Sequence, residues 1–397
     1  MPIYLAPDVY VEEVSGGARP IEAVGTSTAG FVGVAPNSRA HIDEAVAINN
    51  WAHFLREFVP EGSQSTPLSH AVFGFFQNGG SRCYVVNVGE GNPVAGGGGD
   101  RAGLDVLAQI DEIAIVATPG YTDAASYDAV LTHCEQLEDR VAILEAPLEV
   151  PNINALTTVA TAQAGEEEPE EDTGLRARNS EGGYGSYYFP WITVRDPLAP
   201  GELVNVPPAG HIAGIWARND ANRGVHKAPA NEIVRGALNL TYRLTRAEQG
   251  ELNQAGVNCI RLFARQGILV WGARTLASSA EWRYLNVRRL FNMIKESIAQ
   301  STRWIVFEPN DYTLWKSIRR DVSAFLTVLW RDGALMGRTP EEAFFVKCDE
   351  ETNPPEVIEQ GRVVTLIGIA PVRPAEFIIF RISQYQGGAE IETQGGA

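Results

Sequence analysis

Residues 207–232, PPAGHIAGIWARNDANRGVHKAPANE, and residues 253–291, NQAGVNCIRLFARQGILVWGARTLASSAEWRYLNVRRLF, decide how this chain is read. Both are dense in Gly, Trp, Arg and Asn at irregular spacing, and neither holds a recognisable catalytic constellation. His211 and His226 tempt a catalytic reading. The six histidines make no HExxH pair, however, and packing or loop hydrogen bonding accounts for these two. Gln254-Ala255-Gly256-Val257 and Gly224 read as turns that set backbone geometry. The nearest approach to a nucleophile elbow, Gly183-Tyr184-Gly185-Ser186-Tyr187, lacks the closing Gly.

Downstream, hydrophobic periodicity is clearest. Val287, Leu290, Phe291, Ile294 and Ile298 fall on one helical face, with Ser278 or Ser279 as the expected N-cap. A strand over 304–307 leads to a second helix capped by Asn310. Its apolar face is Leu314, Trp315, Ile318, Val322, Phe325, Leu326 and Leu329, and Gly333 sits past its end. Glu308 and Asp311 flank that helix start and favour its dipole, which leaves them no need of an acid–base role. Strands are expected at 343–348, 363–370 and 377–383, giving an α/β unit whose sheet is covered by two long helices.

Upstream the chain also reads as α/β. Strands are expected at 30–34, 83–88, 113–117, 141–145 and 187–194, with helices at 50–58, 68–77 and 124–137. Asn78-Gly79-Gly80 is a C-cap signal. The rhythm over 113–145 fits a parallel βαβ unit. Thr118-Pro119-Gly120 stands where an α/β enzyme often places a binding loop, but no GxGxxG or GxxxxGK[ST] occurs there, and no cofactor is expected. Residues 96–99 read as a flexible joint. Residues 165–172, GEEEPEED, read as a solvated acidic loop rather than a metal site.

Both ends read as arms. In residues 1–20, Tyr4, Val9, Tyr10 and Val11 have strand character, but Pro7 interrupts them, which favours an edge or added strand. Near the other end, Ile378, Phe380 and Ile382 would point one way, with Phe377, Ile379 and Arg381 opposite. Neither end has an evident partner in its own sequence neighbourhood.

At 397 residues there is room for two or three domains. No apolar run approaches the roughly 20 residues needed to cross a bilayer. The first residues lack a signal peptide's basic and apolar regions, so synthesis and folding in a cytoplasm are expected. Cys83, Cys134, Cys259 and Cys348 are far apart and read as buried thiols. A net charge of −17 argues against general nucleic-acid binding. Between Glu281 and Arg331, however, nine Lys or Arg oppose five acids. That segment is either a solvated face with internal ion pairs or a contact surface for an acidic partner.

Several phrases, in this order, resemble the contractile tail sheath family: YLAPDVYVEEV at 4–14, TSTAGFVGVA at 26–35, LSHAVFGFFQNGGSRCYVVNV at 68–88, AIVATPG at 114–120, and IGIAPVRPAEFIIFRISQ at 367–384. The most specific are 207–231 and 272–290. Asp8 departs from the Gly usual in that family. The resemblance implies an α/β (α+β) protein: an inner α/β domain with helices covering a mixed sheet, an outer α/β domain, and extended N- and C-terminal β-arms. The expected divisions are an arm at 1–20, a mainly outer domain with part of the inner at 21–270, the inner tube-facing domain at 271–375, and an arm at 376–397.

In function the resemblance implies a structural subunit that polymerises helically around an inner tube and contracts to drive it through a target envelope. Such a subunit is assembled in the bacterial cytoplasm, as part of a phage tail or an injection particle. Partners would be other copies of the chain, an inner tube protein, and baseplate and terminal cap proteins, without nucleic acid or direct membrane insertion. Tyr4, Val9, Tyr10, Val11, Ile378, Phe380 and Ile382 would form strands added to neighbours' sheets, where main-chain hydrogen bonds supply affinity. Arg288, Arg289, Arg319 and Arg320 are the candidate contacts to tube or neighbour. No catalytic residue, metal or cofactor is expected. A static helical or capsid-like scaffold and an α/β enzyme are the alternatives.

Overall fold

The computed structural model describes residues 20–96, 101–161 and 174–380. Tyr4, Val9, Tyr10, Val11 and Ile382 lie outside the described residues, as do 97–99 of the glycine run and the acidic loop 165–172.

Alternation of side chains across the strands organises the fold. In β1 (Ala29–Gly33), Ala29 and Phe31 enter one core and Val32 enters another. The same division runs through β3 (Cys83–Asn87), β4 (Ile115–Ala117) and β5 (Val141–Glu145). Being buried on both sides, these strands read as near-continuous apolar runs. Joined by β2 (Ala45–Ile48), β6 (Gly185–Phe189), β9 (Glu232–Ile233), β11 (Val257–Phe263) and β12 (Gly267–Val270), they form a nine-stranded sheet. Its order is β2-β3-β1-β4-β5-β6-β11-β12-β9. Pairing is parallel from β3 through β11 and antiparallel towards both edges. A separate small sheet holds β7 (Ile192–Arg195), β8 (Leu203–Val206) and β10 (Asn239–Leu240).

Helices cover both faces of the large sheet. On one side lie α1 (Trp51–Phe58), α2 (Pro67–Asn78) and α5 (Ala209–Arg223). On the other lie α3 (Leu104–Leu107), α4 (Ala124–Leu137) and α6 (Arg246–Gln254). Local chemistry sets their ends. Asn50 caps α1 by accepting from His53 N at 2.8 Å. Thr66 and Ser69 form a capping box on α2, and Gly79 ends it in the left-handed region at φ 114°.

The glycines of 207–232 acquire their reason here. Gly210 and Gly214, four apart, lie on the same face of α5 and press on α2. A Cβ at Gly210 would overlap the Ala71 backbone, and one at Gly214 the carbonyl of Phe75. His211, between them, lays its ring over Gly74, fully buried and with no hydrogen-bond partner among the described residues.

A third core gathers α7 (Leu285–Ser301), α8 (Tyr312–Arg331), Ile21 and Val225. All seven residues expected on the apolar face of α8 are buried. With them stands an antiparallel pair, β13 (Phe344–Lys347) and β14 (Leu366–Ile369).

Several expectations are corrected. The strand expected over 187–194 divides at Pro190, whose missing N–H cannot serve a ladder, so β6 and β7 enter different sheets. Residues 304–307 form no strand. A single 3₁₀ turn, Arg303–Ile305, leaves Val306 and Phe307 exposed. Neither Ser278 nor Ser279 caps α7, because Ser278 Oγ donates to Glu181 and Ser279 Oγ accepts from Trp282 N. Asp311, not Asn310, caps α8, and Asn310 Oδ1 instead accepts from Trp315 Nε1 at 2.8 Å. Of the three strands expected at 343–348, 363–370 and 377–383, the first two form, as β13 and β14, and the described part of the third, 377–380, is not a strand.

Two stability predictions follow from the packing. Gly210→Ala should cost about 3 kcal/mol, because a backbone rather than a flexible side chain must yield. A lower denaturant midpoint at unchanged slope would register it. Burial lowers the pKa of His211 to about 3 and that of His133 to about 4, from 6.5. The unfolded chain therefore binds protons that the folded chain refuses. Stability contributed by these neutral rings is complete above pH 6.5 and is lost as pH falls towards 4 and 3, at about 1.4 kcal/mol per pH unit for each ring. In pH-dependent unfolding, His211→Leu should be less sensitive to acid than the parent by about one proton's slope.

Candidate functional site

In open α/β sheets, ligands enter the crevice where strand order reverses, at the carboxyl ends of the strands. Here that crevice lies between β1 and β4, and protein occupies it. The first turn of α2 packs there, Leu68 against Gly33 and Pro67 against Gly120, and Tyr121 reaches Gly33 as well. Beside it, the Glu145 carboxyl accepts N–H from Gly120 at 2.6 Å and from Ala209, the first residue of α5, at 3.0 Å. Burial pushes its pKa up to about 8 against the pull of those two N–H groups. Both oxygens are engaged in joining loop, strand and helix. No group of three or more potential metal ligands occurs among the described residues.

The basic segment divides sharply. Arg288 and Arg289 are 4% and 3% exposed, so neither is a surface contact, and the expectation for them is corrected. Arg288 lies 4.1 Å from the Trp282 ring and 4.6 Å from that of Tyr184, and donates to Asn292 Oδ1. Arg289 forms a bidentate pair with Asp220, at 3.0 and 2.6 Å, while lying over Trp216. Thr26 completes this circuit, donating its hydroxyl to Asp220 and accepting from Arg289 through its carbonyl. Arg319 is half-buried and reaches the Cys348 carbonyl at 3.3 Å. Arg320 is exposed and pairs with its neighbour Asp321. Of the four, only Arg319 and Arg320 reach solvent, and Arg319 has no carboxylate partner among the described residues.

The surface with unmet bonding capacity is at the other side of the third core. Among the described residues β13 and β14 form a sheet of only two strands, steadied by Phe344, Val346 and Ile369 on the third core. Phe345 lays its ring over Gly368 across the pair. Past β14 the backbone first pairs with residues 334–336, where Met336 N–H donates to the Ala370 carbonyl and Val372 N–H to that of Ala334, and two side-chain contacts follow. Asn286 Nδ2 donates to the Val372 carbonyl, and Arg274 grips Glu376 with two N–H groups at 2.9 and 2.5 Å. Tyr284 adds a hydroxyl to the same carboxylate. Beyond that clamp, Phe377, Ile378, Ile379 and Phe380 are 73–83% exposed, four consecutive apolar side chains without cover. A lone exposed apolar residue needs no explanation, but a contiguous patch marks an interaction site. The sequence reading found this segment but missed its clamp, since Arg274 and Glu376 stand 102 residues apart.

Known proteins resemble this chain along most of its length. The profile of the phage tail sheath protein central domain matches residues 110–276, and that of the phage tail sheath C-terminal domain matches 277–384. The PVC sheath complex of an extracellular contractile injection system, in its contracted state, is similar at 28% identity and TM-score 0.77, covering 97% of this chain and 99% of that one. A chain of the anti-feeding prophage baseplate in its contracted state is 32% identical, with TM-score 0.74 over 96% and 99%. The tail sheath protein of Salmonella phage ViI is 26% identical over 71% of this chain and 46% of its own. The chain spans less than half the length of such curated relatives.

The contrast between arginines is testable. Asp220→Ala strands a buried guanidinium and should cost about 3–5 kcal/mol, whereas Arg331→Gln, at an exposed position of the same basic segment, should stay within about 0.5 kcal/mol. Chemical denaturation of the two variants measures both.

Proposed function

The chain belongs to the phage tail sheath family, and on that footing we propose that it is a sheath subunit. It polymerises helically around an inner tube and contracts to drive that tube through a target envelope. The observation that carries this reading is the exposed apolar segment 377–380, leaving its clamp at Glu376 beside a sheet of only two strands. An unpaired edge and an uncovered strand of that composition are an aggregation hazard in a monomer and a bonding site in a polymer. Likeness over nearly the whole chain to a sheath in its contracted state supports the same reading.

In this scheme residues 1–20 and 376–397 are arms, with Ile378 and Phe380 setting register in a neighbour's sheet. Residues 21–270 are mainly the outer domain, and 271–375 the inner, tube-facing one. Contacts that repeat head to tail without closing give a helical filament. The arms keep neighbours linked while rigid domains rotate. Its partners are further copies, a tube protein, and baseplate and cap proteins. Arg319 and Arg320 are the remaining candidates for a tube or neighbour contact. The polymer is assembled in the bacterial cytoplasm and is part of a tail or injection particle. The role is structural, with the energy of contraction held in the assembly rather than drawn from hydrolysis.

Negative-stain microscopy of the purified chain with its tube protein should show hollow tubes in two diameters, extended and contracted. A single fixed diameter would mark a static scaffold, and compact monomers alone would sink the sheath reading. Deleting residues 1–15, or everything after Ala375, should leave a folded body that no longer forms tubes. Normal tubes from both truncations would remove the arms from the mechanism.

A further inference from the structure

A cleft of about 420 Å³ opens between the end of α6 and the turns before α7. Three arginines line it, Arg176, Arg274 and Arg283, and its lining contains no Asp or Glu. Arg274 already holds Glu376, and Glu181 sits nearby on Ser278. The other two arginines have no carboxylate partner among the described residues. Arg176 is only 8% exposed, its Nη1 meets the neutral Asn179 at 2.9 Å, and its Nε has no partner. Neither Arg176 nor Arg283 makes an ion pair among the described residues. Burying a guanidinium without a carboxylate is costly, so the described residues hold a cationic site prepared for an anion.

We infer that this cleft takes the carboxylates of an acidic segment from a second copy of the chain, a contact resting on the polymer reading above. Three arguments select that occupant. First, the chain carries a net charge of −17, so copies repel over most of their surface and gain most where one presents cations. Second, the clamp on Glu376 displays the geometry: a carboxylate gripped by two N–H groups of one arginine at the same cleft. Third, in a homopolymer every copy brings surplus acid to its neighbours at high local concentration. The pairing therefore adds a polar, salt-sensitive bond between copies, distinct from strand addition at the arms.

The test uses the full chain assembled into tubes. Arg283→Lys keeps the charge and supplies an amine that a water-soluble carbodiimide couples only to a carboxylate in contact. Tubes built from mixed heavy- and light-isotope copies separate links between copies from links within one. The expected result is an amide between position 283 of one copy and an Asp or Glu of another. Independently, Arg176→Gln with Arg283→Gln should raise the critical concentration for assembly about tenfold, with little effect on the melting temperature of the free subunit. Normal tubes linked only within a copy, to Glu376 or Glu181, or not linked at all, overturn the inference while leaving the sheath reading intact. Equal assembly by the double variant also overturns it. Failure of the unsubstituted chain to form any polymer overturns both readings.

Discussion

The buried circuit of Arg289, Asp220 and Thr26 is the constraint from which the arrangement of the chain follows. Asp220 sits near the end of α5, Arg289 in the first turns of α7, and Thr26 in the segment entering β1. Two opposite charges at 3% and 6% side-chain exposure are expensive to dehydrate, and either alone would be worse. The geometry offsets that cost through a bidentate pair, a hydroxyl, a carbonyl and the face of Trp216. Any displacement of α7 from α5 would strand a charge in the core. The third core is thereby locked onto the helix layer of the large sheet.

That lock explains why the body can be rigid while its outermost strands are unsatisfied. The nine-stranded sheet is covered on both sides, and helices α7 and α8 close their own core. The pair β13–β14 and the segment after Glu376 are left with bonding capacity that the described residues do not use. A stable body with an incomplete edge is what repeated association needs, because strand addition between copies then costs no internal order. The clamp on Glu376 adds direction, fixing where the free segment leaves the surface.

Much of the fold was legible beforehand. The strands at 83–88 and 141–145, the helix at 124–137 and the seven-residue face of α8 follow from side-chain period and cap chemistry, which act within a few residues. The absence of a phosphate loop after β4 was equally plain, and the crevice there proves to be packed with Pro67, Leu68 and Tyr121. Less legible were features that depend on what lies opposite. Residues 304–307 have strand composition, yet no described strand pairs with them, and Phe307 ends fully exposed.

By itself, then, the sequence determined the alternation of strands and helices and the family likeness, since each is written in local period, local caps or ordered phrases. Tertiary structure alone decided which charges face inward. Arg288 and Arg289 stand beside each other in a basic run that looks solvated, yet one is sandwiched by Trp282 and Tyr184 and the other by Asp220 and Trp216. It also decided that Arg176 and Arg283 share a cleft with no acid in its lining. The reason is physical. The free energy of a charge is set by its partners and its exclusion from water, and both come from residues tens to hundreds of positions away.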